Sequence, residues 1–324
     1  MSHVVTRSEL EGALARVRAA VADPRDGIHG PGSPAWQLQR ESMVFLGGGR
    51  AALLQLAHPF VAYAIDQHSK TRGDVVGRFQ RTFRNVFAMS FGTLDEATTA
   101  ARRVHNIHSR ITGVIPEDVG AFPAGTRYHA NDASSLLWVY ATLIHTVVQV
   151  HELMRGRLPA ARKDAFYRDT WQFARLFGIP EADLPPTWVA MDLYVERMMA
   201  SPTLTVAEPA RAMSRFLFGA VTPDGRPARR AAPGRLVELV TAALLPERLR
   251  RQYGLAWGLR ERVAFAAAMA VMRPGYALLP ARARWLPAYQ DAERRVRGLP
   301  PSGVNRWMDA RLTMLASLAT SGSG

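Results

Sequence analysis

Residues 97–113, ATTAARRVHNIHSRITG, carry the periodicity that decides the fold class. At roughly 100° per residue, Ala97, Ala101, Val104, His108 and Ile111 fall on one face, while Arg102, Arg103, Asn106, Ser109 and Arg110 project elsewhere. The spacing predicts an amphipathic helix over 94–112 with one histidine, His108, on its apolar stripe. His105, one turn back, sits at the edge of that stripe. An inward neutral imidazole needs a partner for each ring nitrogen, and both a hydrogen bond in the core and a bound iron or zinc can satisfy it. Periodicity leaves those alternatives open.

The same period recurs outward in both directions. Helices are expected over 8–22, 36–46, 50–68, 73–90, 133–155, 159–177, 186–200, 207–219, 233–244, 246–253, 258–272 and 281–297. Asn131 or Asp132 can cap the helix that carries Leu136, Leu137, Tyr140, Leu143 and Ile144, and Thr205 with Glu208 has capping-box spacing. Alternation bounded by turn pairs is hard to find, so the expected fold is all-α: a single large bundle with many helices in globin-like packing. An N-terminal helix and connector (1–34) precede the main helical domain (35–298), and a C-terminal extension (299–324) follows. Loops are expected at Val114–Arg127 and Val221–Pro233, and the Ser317–Gly324 tail is expected to be disordered.

With 324 residues the chain can bury a sizeable core, and with no cysteine it excludes disulfides, zinc ribbons, iron–sulfur clusters, thiolate-ligated haem and cysteine nucleophiles. Histidine is the only neutral nitrogen ligand left. The net charge of +14 raises the question of a polyanionic partner. The cations are nearly all arginine, dispersed apart from clusters at Arg226–Arg235, Arg248–Arg251 and Arg294–Arg297, and no nucleic-acid module accompanies them. Specific nucleic-acid binding is therefore not expected, whereas weak attraction to anionic lipid is compatible with the charge. The start of the chain lacks the apolar core of a secretory signal, and the longest purely apolar run, Val263–Met272, falls short of the ~18 residues of a membrane span. A cytoplasmic location is expected.

Within 73–90, Arg78 and Thr82 lie on neighbouring turns of one face, with Thr82 near the apolar side set by Val75, Phe79, Phe83 and Val86. Thr82 can line a cavity wall, Arg78 can reach over its edge, and Arg81 points almost opposite. The glycines of Gly47–Arg50 could expose amides to an anion, but no lysine followed by serine or threonine completes a P-loop. Pro59 after His58 removes one helical hydrogen bond and can kink the chain. His68, His129, His145 and His151 form neither an HEXXH motif nor a carboxylate-rich di-iron pattern, and a Gly-X-Ser-X-Gly elbow is absent.

Four stretches resemble the rubber oxygenase and mpaB-type oxygenase catalytic domain, the family that includes the latex-clearing proteins: GGGRAALLQLAHPFVAYAIDQHS (47–69), RFQRTFRNVFAMSFG (78–92), ARRVHNIHSRITG (101–113) and YHANDASSLLWVYATLI (128–144). FARLFGIPEADLPPTW (173–188) and LLPERLRRQYGLAW (244–257) extend the resemblance to about residues 35–290. It implies a helical fold enclosing a haem b pocket, iron held by one histidine, and dioxygen chemistry on a hydrophobic substrate such as an isoprenoid, a lipid or a secondary metabolite. The axial position falls on His108, with His105 as the fallback. The distal Arg, Lys and Thr of latex-clearing proteins fall on Arg78, Arg81 and Thr82, so arginine replaces the lysine; a guanidinium does not ordinarily coordinate iron, and a lysine-closed site is not expected. His58 and Arg50 resemble frequent family positions with pocket, propionate or structural roles. Tyr140 stands where many members have histidine. A redox partner is compatible with this reading, and a non-catalytic lipid-binding or haem- or gas-sensing protein is its rival.

Overall fold

In the computed structural model the described residues are 3–68, 75–219, 232–300 and 302, with side chains from Thr82 and from Gly234 where the second and third of these stretches begin. The helices are α1 (Arg7–Ala20), α2 (Pro34–Gln39), α3 (Gly48–Leu56), α4 (Pro59–His68), α5 (Val75–Phe91), α6 (Leu94–His108), α7 (Ala133–Arg155), α8 (Ala160–Asp169), α9 (Trp171–Arg175), α10 (Trp188–Ala200), α11 (Glu208–Leu217), α12 (Ala232–Leu244), α13 (Glu247–Gln252), α14 (Leu259–Leu278), α15 (Ala281–Arg284) and α16 (Pro287–Val296). The fold is predominantly α, as the periodicity predicts. Its only sheet among the described residues pairs β1 (Thr112–Val114) antiparallel with β2 (Arg127–His129). Three-residue strands are too short to register as alternation, and Gly113 lies against the Tyr128 hydroxyl and the Gln67 amide, where a Cβ would collide.

Helix starts follow local chemistry. Thr6 with Glu9 and Thr93 with Glu96 form reciprocal capping boxes for α1 and α6. Asp132 caps α7 by accepting from Ser135 N at 2.9 Å. The expected Thr205–Glu208 box does not form: Ala207 precedes α11, and the Thr205 hydroxyl donates to the Pro202 carbonyl instead. Pro59 divides the expected 50–68 helix into α3 and α4. The carbonyls at this break find side-chain donors, Trp138 Nε1 to Leu54 O at 2.9 Å and Tyr253 Oη to Leu53 O at 2.6 Å.

Helix α7 runs through the middle of the main core, burying Leu136, Trp138, Tyr140, Ile144 and Val148. Among the described residues it alone is long and apolar enough to cross a membrane, and most of its apolar window is covered by protein. The Tyr140 hydroxyl pairs with Thr170 Oγ1 at 2.8 Å, which makes that position a satisfied core residue. Helix α1 places Leu10, Leu14 and Val17 in the same core, so the N-terminal segment packs with the bundle. Gly47 faces Thr146 and Val150 of α7, and Gly49 faces Thr241 of α12; side chains at either position would collide. The glycines thus admit close packing of the chain entering α3. The Val221–Pro233 loop and the Ser317–Gly324 tail lie essentially outside the described residues.

The arginine clusters that are described are spent largely on backbone carbonyls. Arg248 donates to the carbonyls of Met199, Ser201 and Leu204 at the end of α10. Arg250 reaches Ala242 O at 2.7 Å, and Arg295 reaches Arg25 O and Phe91 O. These guanidinium groups close helix ends that would otherwise lack donors.

Candidate functional site

Helices α5 and α6 are joined by Gly92 and Thr93 and pack against each other as an antiparallel hairpin. Arg103 Nη1 donates to Asn85 Oδ1 at 3.3 Å, which marks the register. Toward the open end from that rung, the turns of α5 bearing Arg78, Arg81 and Thr82 run beside the last turn of α6, which bears His105 and His108. The hairpin therefore brings together at backbone level the residues singled out in 78–82 and 105–108. The side chains of Arg78 and Arg81 lie outside the described residues. Thr82 is exposed. Phe83 and Phe87, further along α5, stack at 5.9 Å and meet Phe45 edge-on.

The buried face of α6 differs from the apolar stripe. Leu94, Ala97, Thr98, Ala100, Ala101 and His105 are buried, whereas Val104 and His108 are half-buried; the helix ends at His108, so Ile111 lies beyond it. The reason is that α6 is covered by α1 and the N-terminal segment as well as by α5. Thr98 accepts from Arg18 at 3.4 Å, and His105 Nε2 lies 3.1 Å from the Val5 carbonyl. Burial here follows from polar groups that find specific partners, a signal that hydrophobic periodicity does not carry.

Next to His105 is the N-terminal junction of α7. Val5 N donates to Asn131 O at 2.9 Å, Ala133 N to His3 O at 2.8 Å, and Asn131 Nδ2 to the His105 carbonyl at 3.2 Å. Asp132 is fully buried; its Oδ1 serves Ser134 and Ser135, while its Oδ2 has no hydrogen-bond partner. His105 Nδ1 is likewise buried and without one. Burial lowers the pKa of His129, partly offset by Asp132, with His105 adding to the depression. His58, at the α3–α4 break, accepts from Phe60 N at 3.3 Å and sits among the rings of Phe60 and Phe122. Burial pushes its pKa down to about 4 against the favourable field of Asp132, so its ring is neutral at pH 7.

Arg50 belongs to a second polar array. It donates from Nε to Leu244 O at 3.1 Å and from Nη1 to Thr146 Oγ1 at 2.6 Å, and its Nη2 lies 3.1 Å from His145 Nδ1. The other ring nitrogen of His145 is 2.8 Å from Asp192 Oδ1, and Trp188 stacks on the imidazole at 5.7 Å. Since a guanidinium only donates, Nδ1 accepts and Nε2 carries the proton. Burial lowers the Arg50 pKa to about 10, which leaves it charged at neutral pH. This Arg50–His145–Asp192 chain joins α3, α7 and α10. No spacing in the sequence points to it.

A fit for haem rests on the donor set. Two imidazoles, His105 and His108, stand on the last turn of α6, and His105 has a ring nitrogen 3.1 Å from the Val5 carbonyl. No group of three or more histidine, aspartate or glutamate side chains among the described residues is placed to hold a bare metal ion. One protein imidazole is all that a haem iron, held otherwise by its macrocycle, requires.

The class that this helical domain falls in is that of oxygenase catalytic domains. The chain belongs to the family described as "ER-bound oxygenase mpaB/B'/Rubber oxygenase, catalytic domain", which it matches over residues 35–274. It is also similar to uncharacterized proteins of Mycobacterium bovis (Mb2261) and Mycobacterium tuberculosis (Rv2237), each 27% identical over 243 residues, covering 74% of this chain and 90% of the relative. No solved structure matches it significantly.

Proposed function

We propose that this oxygenase domain uses haem b, with its iron held by His108, to act with dioxygen on a hydrophobic small molecule such as an isoprenoid, a lipid or a secondary metabolite. The observation that carries this reading is the register of the α5–α6 hairpin, which sets Arg78, Arg81 and Thr82 beside the turn bearing His105 and His108. The family resemblance puts the ligand on His108, with His105, one turn back on the same helix, as the fallback. When bound, haem supplies a redox-active iron at which dioxygen is activated.

The protein contributes charge and proton placement. Arg78, cationic at any working pH, stabilises negative charge developing on oxygen through charge-assisted hydrogen bonds. Thr82 can accept and donate a proton through one hydroxyl. Arg81 cannot shed its proton to become a ligand as a lysine can. Arg50 holds the core together from α3, and neutral His58 shapes the wall at the α3–α4 break.

The test is haem content by pyridine haemochrome, together with substrate-dependent oxygen consumption. Wild type should take up one haem, and His108→Ala should lose the Soret band while His105→Ala retains it. Arg78→Ala should keep haem and lose activity on the order of a hundredfold. A wild type that stays colourless after reconstitution with haem overturns the proposal.

A further inference from the structure

Helix α14 buries one face and shows a second apolar face to solvent. Phe265, Met269, Met272 and Tyr276 pack inward with Met43, Val150, Met154 and Val240. On the opposite side, Leu259 is 80% exposed, Val263 61%, Val271 73% and Leu278 86%. Ala267, Ala270, Pro274 and Ala277 fill the same face and are also exposed. Scattered exposed apolar residues are ordinary, but a continuous row along a helix of about 30 Å marks a surface that meets something apolar.

Charge indicates the occupant. Arg262 and Arg273 lie along one edge of the outward face, Arg260 stands on its first turn, and exposed Arg282 follows just beyond its end. The helix has one acid, Glu261, whose carboxylate accepts from Gly258 N at 2.7 Å as a cap. Two cavities open beside the helix and share Arg273. One, of about 340 Å³, is lined by Arg155, Arg273 and Tyr276; its one acid, Glu152, is paired with Lys163 at 3.2 Å. The other, of about 520 Å³, is walled by Phe265, Met269 and Pro274. Arg155 is itself 3.6 Å from Glu41, so Arg273, shared by both, is the cation that the recess presents beside the apolar one. A second copy meeting this face symmetrically would set arginines against arginines, whereas an anionic lipid surface complements both the charge and the apolar row.

We infer that α14 is a membrane-surface helix that lies along an anionic bilayer, with its outward face among the acyl chains and its arginines at the phosphate level. With four charged residues it rests on the bilayer and does not cross it. The inference stands apart from the haem reading, because vesicle binding is measured with or without cofactor.

The experiment is co-sedimentation of the full chain with phosphatidylcholine vesicles, with and without phosphatidylglycerol, at low and high salt. Wild type should partition at least roughly tenfold more strongly onto the anionic vesicles, less so in high salt. Val263→Glu/Val271→Glu should lose at least about tenfold of that binding with an unchanged unfolding midpoint, since both positions are exposed. Arg262→Gln/Arg273→Gln should lose the preference for phosphatidylglycerol. The inference is overturned if wild type ignores anionic vesicles or if the double glutamate variant binds as wild type does. It is also overturned if light scattering shows a wild-type dimer that the double glutamate variant converts to monomer, which would assign the face to a second copy.

Discussion

The array around Arg50 and the junction around His105 are both buried and polar, yet they are finished differently. Arg50 engages all three of its nitrogens, and His145 extends the chain to Asp192. At the junction, Asp132 Oδ2 and His105 Nδ1 have no hydrogen-bond partner. Each buried polar group left unmatched costs about 1–3 kcal/mol, so a matched array stabilises the scaffold while an unmatched one draws on stability supplied elsewhere. Such imperfection is characteristic of regions shaped by something besides folding. The unmatched region adjoins the helix that carries the proposed iron ligand.

The largest effect expected from this contrast is on stability at Arg50. Arg50→Met would strand the Leu244 carbonyl, Thr146 and His145 together, at a cost on the order of 3 kcal/mol or more. His105→Leu removes an imidazole that is half-unmatched already and strands one group, the Val5 carbonyl, so its cost should be smaller, about 1–2 kcal/mol. Urea denaturation of the two variants measures the difference, and equal losses would break the comparison.

Acid should act on the second region next. Because the folded pKa of His58 is depressed, its neutral ring favours the folded state above the unfolded value near 6.5. That contribution is lost as pH falls from 6.5 toward about 4, where the unfolded chain binds a proton that the folded chain refuses. The full shift corresponds to roughly 3 kcal/mol. Comparing wild type with His58→Phe at pH 7.5 and pH 4.5 isolates this effect: the wild-type loss between the two should shrink in the variant, and an identical loss would remove His58 as its source.

Much of the fold was legible because long helices advertise themselves. The 133–155 stretch is found with its expected ends and cap, whereas the expected 159–177 and 281–297 helices are each divided, into α8 and α9 and into α15 and α16, and the expected 258–272 helix runs on to Leu278. The site was legible as segments and less so as directions. Periodicity centred the α6 stripe on His108, but burial falls on His105, because Arg18 and the Val5 carbonyl supply partners from outside the helix. His145 and Asp192 were invisible for a related reason. They are 47 positions apart, and only the packing of α7 against α10 makes them neighbours. Likewise, the glycines before Arg50 read as exposed amides in the sequence and serve to bring α3 close to α7 and α12.

The smallest expected effect sharpens what a matched array means. Asp192 is about half-buried and its carboxylate accepts from His145, a hydrogen bond that also holds its pKa below the ordinary carboxylate value. Asp192→Asn keeps an acceptor in place and gives up only charge assistance that solvent already screens, so the loss at pH 7 should be below about 1 kcal/mol. The sign of its pH dependence is fixed: a depressed carboxyl pKa stabilises the folded state above the unfolded value of 3.8 and ceases to do so as pH falls through the folded value. The gap between wild type and variant should therefore hold steady from pH 8 to pH 5 and close below pH 3.8. A gap several-fold larger would mean that His145 relies on the charge of Asp192 and not only on its acceptor, and the chain from Arg50 would then be an ion-pair network instead of a set of matched hydrogen bonds.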